Sequence, residues 1–263
     1  MEDKSQESET VLSSAKSVSR QGNIVLRPSG PWTAHVHDLL RHLEQAGFAA
    51  MPRIAGTGTA PDGREMLSYI EGEFVHPGPW SDQALQEVGR MLRRLHDASS
   101  TFRPAPDAEW KPWFLRGLGG TATVYSHGDV APWNVVTRGG MPVALIDWEF
   151  AGPVDPMVEL ARVCWLFPQL HDDDVAVRVG LPPLEVRARR LRLLVDAYGV
   201  SAEQRLGPPD LILEAAVRET AEEAIEADVT PESVGPLWGL AWRARAASWI
   251  LRHRSVLRQA LFS

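Results

Sequence analysis

The 263-residue chain has little of what marks the more specialised protein classes. It carries one cysteine, Cys164, so no internal disulfide forms, and that thiol lies in the apolar run Val163 to Phe167, as a buried structural residue does. A reducing, cytoplasmic location is the matching expectation. Basic residues are the minority: 27 Lys and Arg stand against 34 Asp and Glu, a formal net charge of -7, which argues against nucleic acid or an anionic membrane as partner. No apolar stretch approaches the roughly 18 residues needed to span a bilayer. Met1 to Arg20 is rich in Ser, Glu and Lys and lacks the apolar core of a signal peptide, so residues 1–20 read as a frayed, disordered start. No repeat recurs at a fixed period.

What is present describes a folded chain: 44% hydrophobic and 23% charged residues, with glycine and proline mostly between periodic segments. Ile24 to Leu26 is β-branched and closes at Pro28, which suits a short strand. Val36, Leu39, Leu40 and Leu43 recur at helical spacing, predicting a helix over Thr33 to Ala46. Phe48 to Ile54 and Glu65 to Ile70 read as strands around the turn Pro61-Asp62-Gly63. From Ser81 onward the pattern is helical, with Leu85, Val88, Met91, Leu92 and Leu95 as one buried stripe. A hairpin at Val135 to Ile146, turning at Arg138-Gly139-Gly140, interrupts it. Further helices are expected at Pro156 to Leu166, Leu184 to Tyr198, Asp210 to Ala227 and Pro236 to Arg254. The basic patch Arg187 to Arg192 and the acidic stretch Glu219 to Asp228 read as solvated helix faces.

The chemistry-bearing groups concentrate around the hairpin, in His127-Gly128-Asp129-Val130-Ala131-Pro132-Trp133-Asn134 and Leu145-Ile146-Asp147-Trp148-Glu149. Because a tight hairpin joins its two ends, Asp129, Asn134 and Asp147 can converge. Their hard oxygen donors suit magnesium, which fills its remaining positions with water and phosphate. Phosphoryl transfer needs such a site, together with a base for the attacking hydroxyl. Asp129 suits the base, and Asn134 and Asp147 the metal ligands.

These two segments resemble the catalytic loop and metal-binding segment of the aminoglycoside phosphotransferase family, relatives of choline kinases and protein kinases. The likeness runs from about Val11 to Tyr198 and includes Arg27-Pro28, Leu67 to Gly72 and Val88 to Asp97. It implies an α+β, two-lobed protein-kinase-like fold: a small sheet-rich N-lobe over residues 21–72 and a larger, mainly helical C-lobe over residues 73–263. It also implies ATP, with GTP as the alternative, and Mg2+ in the interlobe cleft, and a small-molecule hydroxyl compound as acceptor. By the same likeness His127 braces the loop, and Ser68, Tyr69 and Ile70 form the hinge that meets the nucleotide base.

The sequence departs from that family in two places. The loop Leu12-Ser13-Ser14-Ala15-Lys16 has no glycine, and the phosphate-gripping lysine has no match, leaving Arg27 as the candidate. Its acidic partner is expected on the following helix, with Asp38 and Glu44 as the nearest acids. A pseudokinase-like binding module with a degraded nucleotide lobe is therefore the alternative reading. His171 with Asp172-Asp173-Asp174 reads as a solvated acidic turn, not a metal site.

Overall fold

The computed structural model describes residues 8–235 and 237–263. Three short strands, β1 (Thr10–Ser13), β2 (Val18–Gln21) and β3 (Ile24–Arg27), form an antiparallel meander. α1 (Thr33–Gln45) follows, then β4 (Ile54–Thr59) and β5 (Glu65–Ser68), which complete a sheet of order β1-β2-β3-β5-β4. Residues 10–13 and 18–20, expected to fray, are thus strands, while residues 1–7 lie outside the described residues. The strand expected at Phe48 to Ile54 is corrected as well: β4 only begins at Ile54. Phe48 and Met51 are buried in the same core as Val36, Leu39, Leu40 and Leu43 of α1, and Pro52 has no amide to give a ladder, so this apolar run packs as a core-filling loop.

Ser81 caps α2 (Asp82–Ser99), its Oγ accepting from the Ala84 amide at 3.1 Å. All five residues of the predicted stripe are buried, each contributing about 1.5–3 kcal/mol relative to exposure. β6 (Val124–Ser126) leads into the loop of residues 127–134, β7 (Val135–Arg138) and β8 (Met141–Leu145) form the predicted hairpin, and β9 (Gly152–Val154) returns to pair with β6. Five helices follow: α3 (Pro156–Leu166), α4 (Asp173–Arg178), α5 (Leu184–Tyr198), α6 (Pro208–Glu226) and α7 (Trp238–Ala260). α5 packs on α2, and α6 packs on both α3 and α7. The molecule is α+β, with a small antiparallel sheet preceding a mainly helical region. Among the described residues, no helix is long and apolar enough to cross a membrane.

The two charged patches are not simply solvated. Arg187 is buried, donating to the Gln169 and His171 carbonyls and pairing with Asp173, and Glu219 is buried against Arg162. The acidic turn is structural too. Asp172 caps α4 and pairs with Arg245, while Asp173 also accepts from the Trp249 indole.

Candidate active site

The turn leaving β6 is made tight by Gly128, whose φ of +79° is left-handed and whose Cα lies where a Cβ would overlap the Phe150 carbonyl. His127, fully buried, ties the two ends of the hairpin together. Its Nε2 hydrogen-bonds the Ile146 carbonyl at 2.8 Å, and its Nδ1 accepts from the Asp129 amide at 3.2 Å. This arrangement assigns the ring proton to Nε2, and burial holds the imidazole below its ordinary pKa and therefore neutral.

Asp129 follows on the exposed side of that ring. Its Oδ1 pairs with Arg162 at 2.8 Å and its Oδ2 accepts from the Asn134 amide nitrogen at 2.8 Å. Asn134 Nδ2 also donates to the Asp129 carbonyl, and the Ile146 amide donates to the Asn134 carbonyl at 2.9 Å, which fixes both ends of the hairpin against the loop. Asp147 begins the next turn with φ +67°. Burial alone would raise its pKa, but Arg27 and Lys16 outweigh this and hold the carboxyl below its ordinary value.

The cations around Asp147 come from the sheet. Arg27, at the end of β3, meets Asp147 Oδ1 at 2.9 Å and Glu65 Oε2 at 3.1 Å. Glu65, at the start of β5, is in turn held by His37 of α1 at 2.8 Å. The acid partner expected on α1 is thus replaced by a strand glutamate, with a histidine of α1 behind it. Asp38 instead pairs with Arg41 and Glu44 with Arg53, both at the surface. Lys16, in the glycine-free turn between β1 and β2, reaches Asp147 Oδ2 at 2.7 Å and Glu149 at 3.8 Å. Lys111 pairs with Glu149 at 2.9 Å. Sequence reasoning missed Lys16, Glu65 and Lys111; the only available signal was that Lys16 ends the loop lacking glycine.

A second tier supports the loop. Glu159 of α3 accepts from the Gly128 amide at 2.7 Å and meets His96 of α2 at 2.7 Å, and His96 Nδ1 meets the Tyr198 hydroxyl at 2.7 Å. Asp155 caps α3 through the Met157 amide and also accepts from Gly120. Arg162, fully buried behind Asp129, pairs with Glu219 of α6 at 2.8 Å. Burial would lower its pKa, but Glu219 and Asp129 outweigh that and keep it charged.

Two cavities meet at these residues. One, of about 400 Å3, is an apolar slot walled by Val25, Leu67, Ile70, Phe74 and Val136, with Lys16, Arg27, Asn134 and Asp147 at its polar end. Of the three hinge candidates, Tyr69 and Ile70 line it. Ser68 is turned to Arg53, with which it exchanges two hydrogen bonds, and the Tyr69 amide is committed to the Asn23 carbonyl. The other cavity, of about 460 Å3, holds Asp129 and Arg162 together with Trp113, Phe150 and the acids Glu222, Glu223 and Glu226 of α6. Lys16 and Trp133 line both. The donor types between them, an ionised carboxylate on Asp147 and an amide oxygen on Asn134, are those of a hard divalent cation site, and a cation there would have to share the carboxylate with Lys16 and Arg27. Among the described residues no cluster of three or more His, Cys, Asp or Glu is arranged to hold a metal ion, here or elsewhere.

The family model described as "Phosphotransferase enzyme family" matches residues 105–194, the span that carries this loop, the hairpin and α3. The trifolitoxin immunity protein of Rhizobium leguminosarum bv. trifolii is 54% identical over 246 residues, covering 93% of this chain and 94% of that protein. Two solved structures share the fold at low identity. An amicoumacin kinase in complex with AMP-PNP, Ca2+ and amicoumacin aligns at 14% identity with a TM-score of 0.66, covering 95% of this chain and 88% of that one. An aminoglycoside phosphotransferase from Alicyclobacillus acidocaldarius aligns at 16% identity with a TM-score of 0.65, covering 99% of this chain and 94% of that one.

Proposed function

The chain belongs to the phosphotransferase enzyme family, as a small-molecule phosphotransferase, and from that premise we propose that it moves the γ-phosphoryl group of ATP to a hydroxyl of a small molecule bearing amino groups. One observation carries this reading: Asp129, Asn134 and Asp147 stand where an apolar slot sized for a nucleotide base meets an acidic cavity. The base lies against Tyr69 and Ile70, and the phosphates run toward Arg27 and Lys16. Lys16 takes the part of the missing glycine loop, giving a charged contact in place of backbone amides. Asn134 and Asp147 would hold Mg2+, which when bound neutralises charge on the nucleotide phosphates.

The acceptor occupies the cavity lined by Glu222, Glu223 and Glu226, whose charge suits protonated amines. Its hydroxyl meets Asp129, whose carboxylate Arg162 and Asn134 hold in one orientation. As the acceptor oxygen bonds to the γ-phosphorus and the bond to the β-phosphate oxygen breaks, Asp129 takes the hydroxyl proton and ADP leaves. The name of the half-identical relative, an immunity protein against a toxin, supports a protective use of this chemistry, with the toxin's hydroxyl as acceptor. The test is transfer of labelled γ-phosphate from ATP to a panel of amino alcohols, amino sugars and toxic metabolites. A phosphorylated product that vanishes in Asp129→Asn supports the reading, and no transfer to any member in a folded, nucleotide-binding sample argues against it.

A further inference from the structure

A third cavity, of about 670 Å3, adjoins the other two at Trp133 and the acidic one again at Arg243. Its volume is that of a small-molecule site. The loop after β6 contributes Pro132 and Trp133, α4 contributes Val175 and, at its C-cap, Val179, and α7 contributes Trp238 and Trp242. Two histidines orient the indoles by edge contacts: His76 lies 5.4 Å from Trp133 at 74°, and His171 lies 5.3 Å from Trp242 at 79°.

The charge pattern here is the opposite of the neighbouring cavity. None of its lining residues is acidic, whereas Glu222, Glu223 and Glu226 crowd the other. Burial lowers the pKa of both histidines, that of His171 to about 3, so both are neutral near pH 7. Arg243 is balanced by Glu219 at 3.1 Å and Glu223 at 2.6 Å, and Arg178 is largely exposed. No carboxylate lines these walls, and the Trp242 ring already carries the Arg243 guanidinium at 4.5 Å, so the indole surfaces favour a flat uncharged ring over a second cation.

The two cavities also share a wall. Arg243 lies 4.5 Å from the Trp242 ring and, through Glu219 and Arg162, is linked to Asp129 by successive ion pairs, so the tryptophans and Asp129 stand at opposite ends of one continuous set of contacts.

We propose that this cavity is a second subsite for the acceptor, taking an uncharged aromatic or heteroaromatic ring on the same molecule whose hydroxyl reaches Asp129. The inference rests on the phosphotransferase reading. It makes the acceptor bipartite, with an amino-bearing end among the α6 acids and a ring among Trp133, Trp238 and Trp242.

The test is calorimetric titration of the full chain with tryptophol (indole-3-ethanol), against cyclohexanol and choline as alcohols without an aromatic ring. Tryptophol should bind roughly tenfold more tightly than either, and Trp238→Ala, a change at a half-exposed position that leaves folding intact, should weaken it about three- to tenfold. Val179→Trp, which fills the cavity from α4, should weaken it by roughly tenfold or more. Both variants should keep the wild-type stabilisation by ATP with Mg2+, which reports on the fold and the nucleotide slot. Affinity for cyclohexanol or for choline equal to that for tryptophol, or unchanged tryptophol affinity in both variants, would overturn the subsite. A wild-type protein that ATP with Mg2+ does not stabilise would instead overturn the phosphotransferase reading, whatever the tryptophol titration gives.

Discussion

Arg162 and Asn134 fix the orientation of the Asp129 carboxylate, and replacing this proposed base separates chemistry from binding. Asp129→Asn keeps the shape and removes the proton acceptor, so single-turnover phosphate transfer should fall by about two orders of magnitude or more with nucleotide affinity nearly unchanged. A wild-type rate would remove Asp129 from that role. Arg27→Ala should cost about 1.5–3 kcal/mol of nucleotide binding, the range for a hydrogen bond to a charged group, and Arg27→Lys should recover part of it. Lys16→Ala should raise the KM for ATP, where an exposed lysine without a phosphate contact would leave it unchanged. That His127, Asp129, Asn134 and Asp147 come together was legible in the sequence, because a single hairpin carries them and spacing along the chain nearly equals spacing in space. Lys16, Glu65 and Glu219 were not. Lys16 meets Asp147 across 131 positions and Arg162 meets Glu219 across 57, and no local pattern encodes such pairings.

Elements hold the catalytic loop more than the loop holds itself. Glu159 joins α3 to the Gly128 amide and, through His96 and Tyr198, to α2 and α5. Glu159→Ala would leave the Gly128 amide and the Nε2 of His96 unpaired in the interior, at a cost of about 3–5 kcal/mol, read as a lower urea midpoint. A loss under about 1 kcal/mol, the size of a surface ion pair, would deny the glutamate that role. The amphipathic stripes of α1 and α2 were readable from period alone. The run Phe48 to Met51 was not, because apolar side chains without a clean period of two describe a core-filling loop as well as a strand, and Pro52 tips the balance. α4 escaped notice because its acids looked solvated, whereas one caps the helix and others pair with arginines of α5 and α7.

The whole molecule unites a glycine-poor sheet with a hairpin that gathers the proposed site residues, and Lys16, Arg27 and Glu65, linked through Asp147 and Arg27, are the proposed substitutes for the departures that favoured a binding module. Its stability should depend on pH in a stated direction. His127 and His171 are held below the ordinary value of 6.5, so between that pH and the folded values the unfolded chain binds protons that the folded chain does not. Stability is therefore full above about pH 6.5 and declines on acidification. Glu159 and Asp147, also depressed, add to the loss below their ordinary values of 4.5 and 3.8. Urea midpoints should be lower at pH 5 than at pH 7.5, and the reverse order would contradict this account of the buried histidines.

The central claim is that the cleft between sheet and helices binds a nucleotide through a metal at Asn134 and Asp147. Its most direct measurement is the melting temperature with ATP, with and without Mg2+, for wild type and Asp147→Ala. A ligand at 100 times its dissociation constant adds about 2.7 kcal/mol, which for a chain of this length is roughly 5–10 °C. The account predicts a rise of that size for wild type with ATP and Mg2+, its loss on adding EDTA, and little or no metal-dependent rise in Asp147→Ala. An unchanged melting temperature in folded wild-type protein at millimolar ATP and Mg2+, or an equal metal-dependent rise in Asp147→Ala, would contradict it.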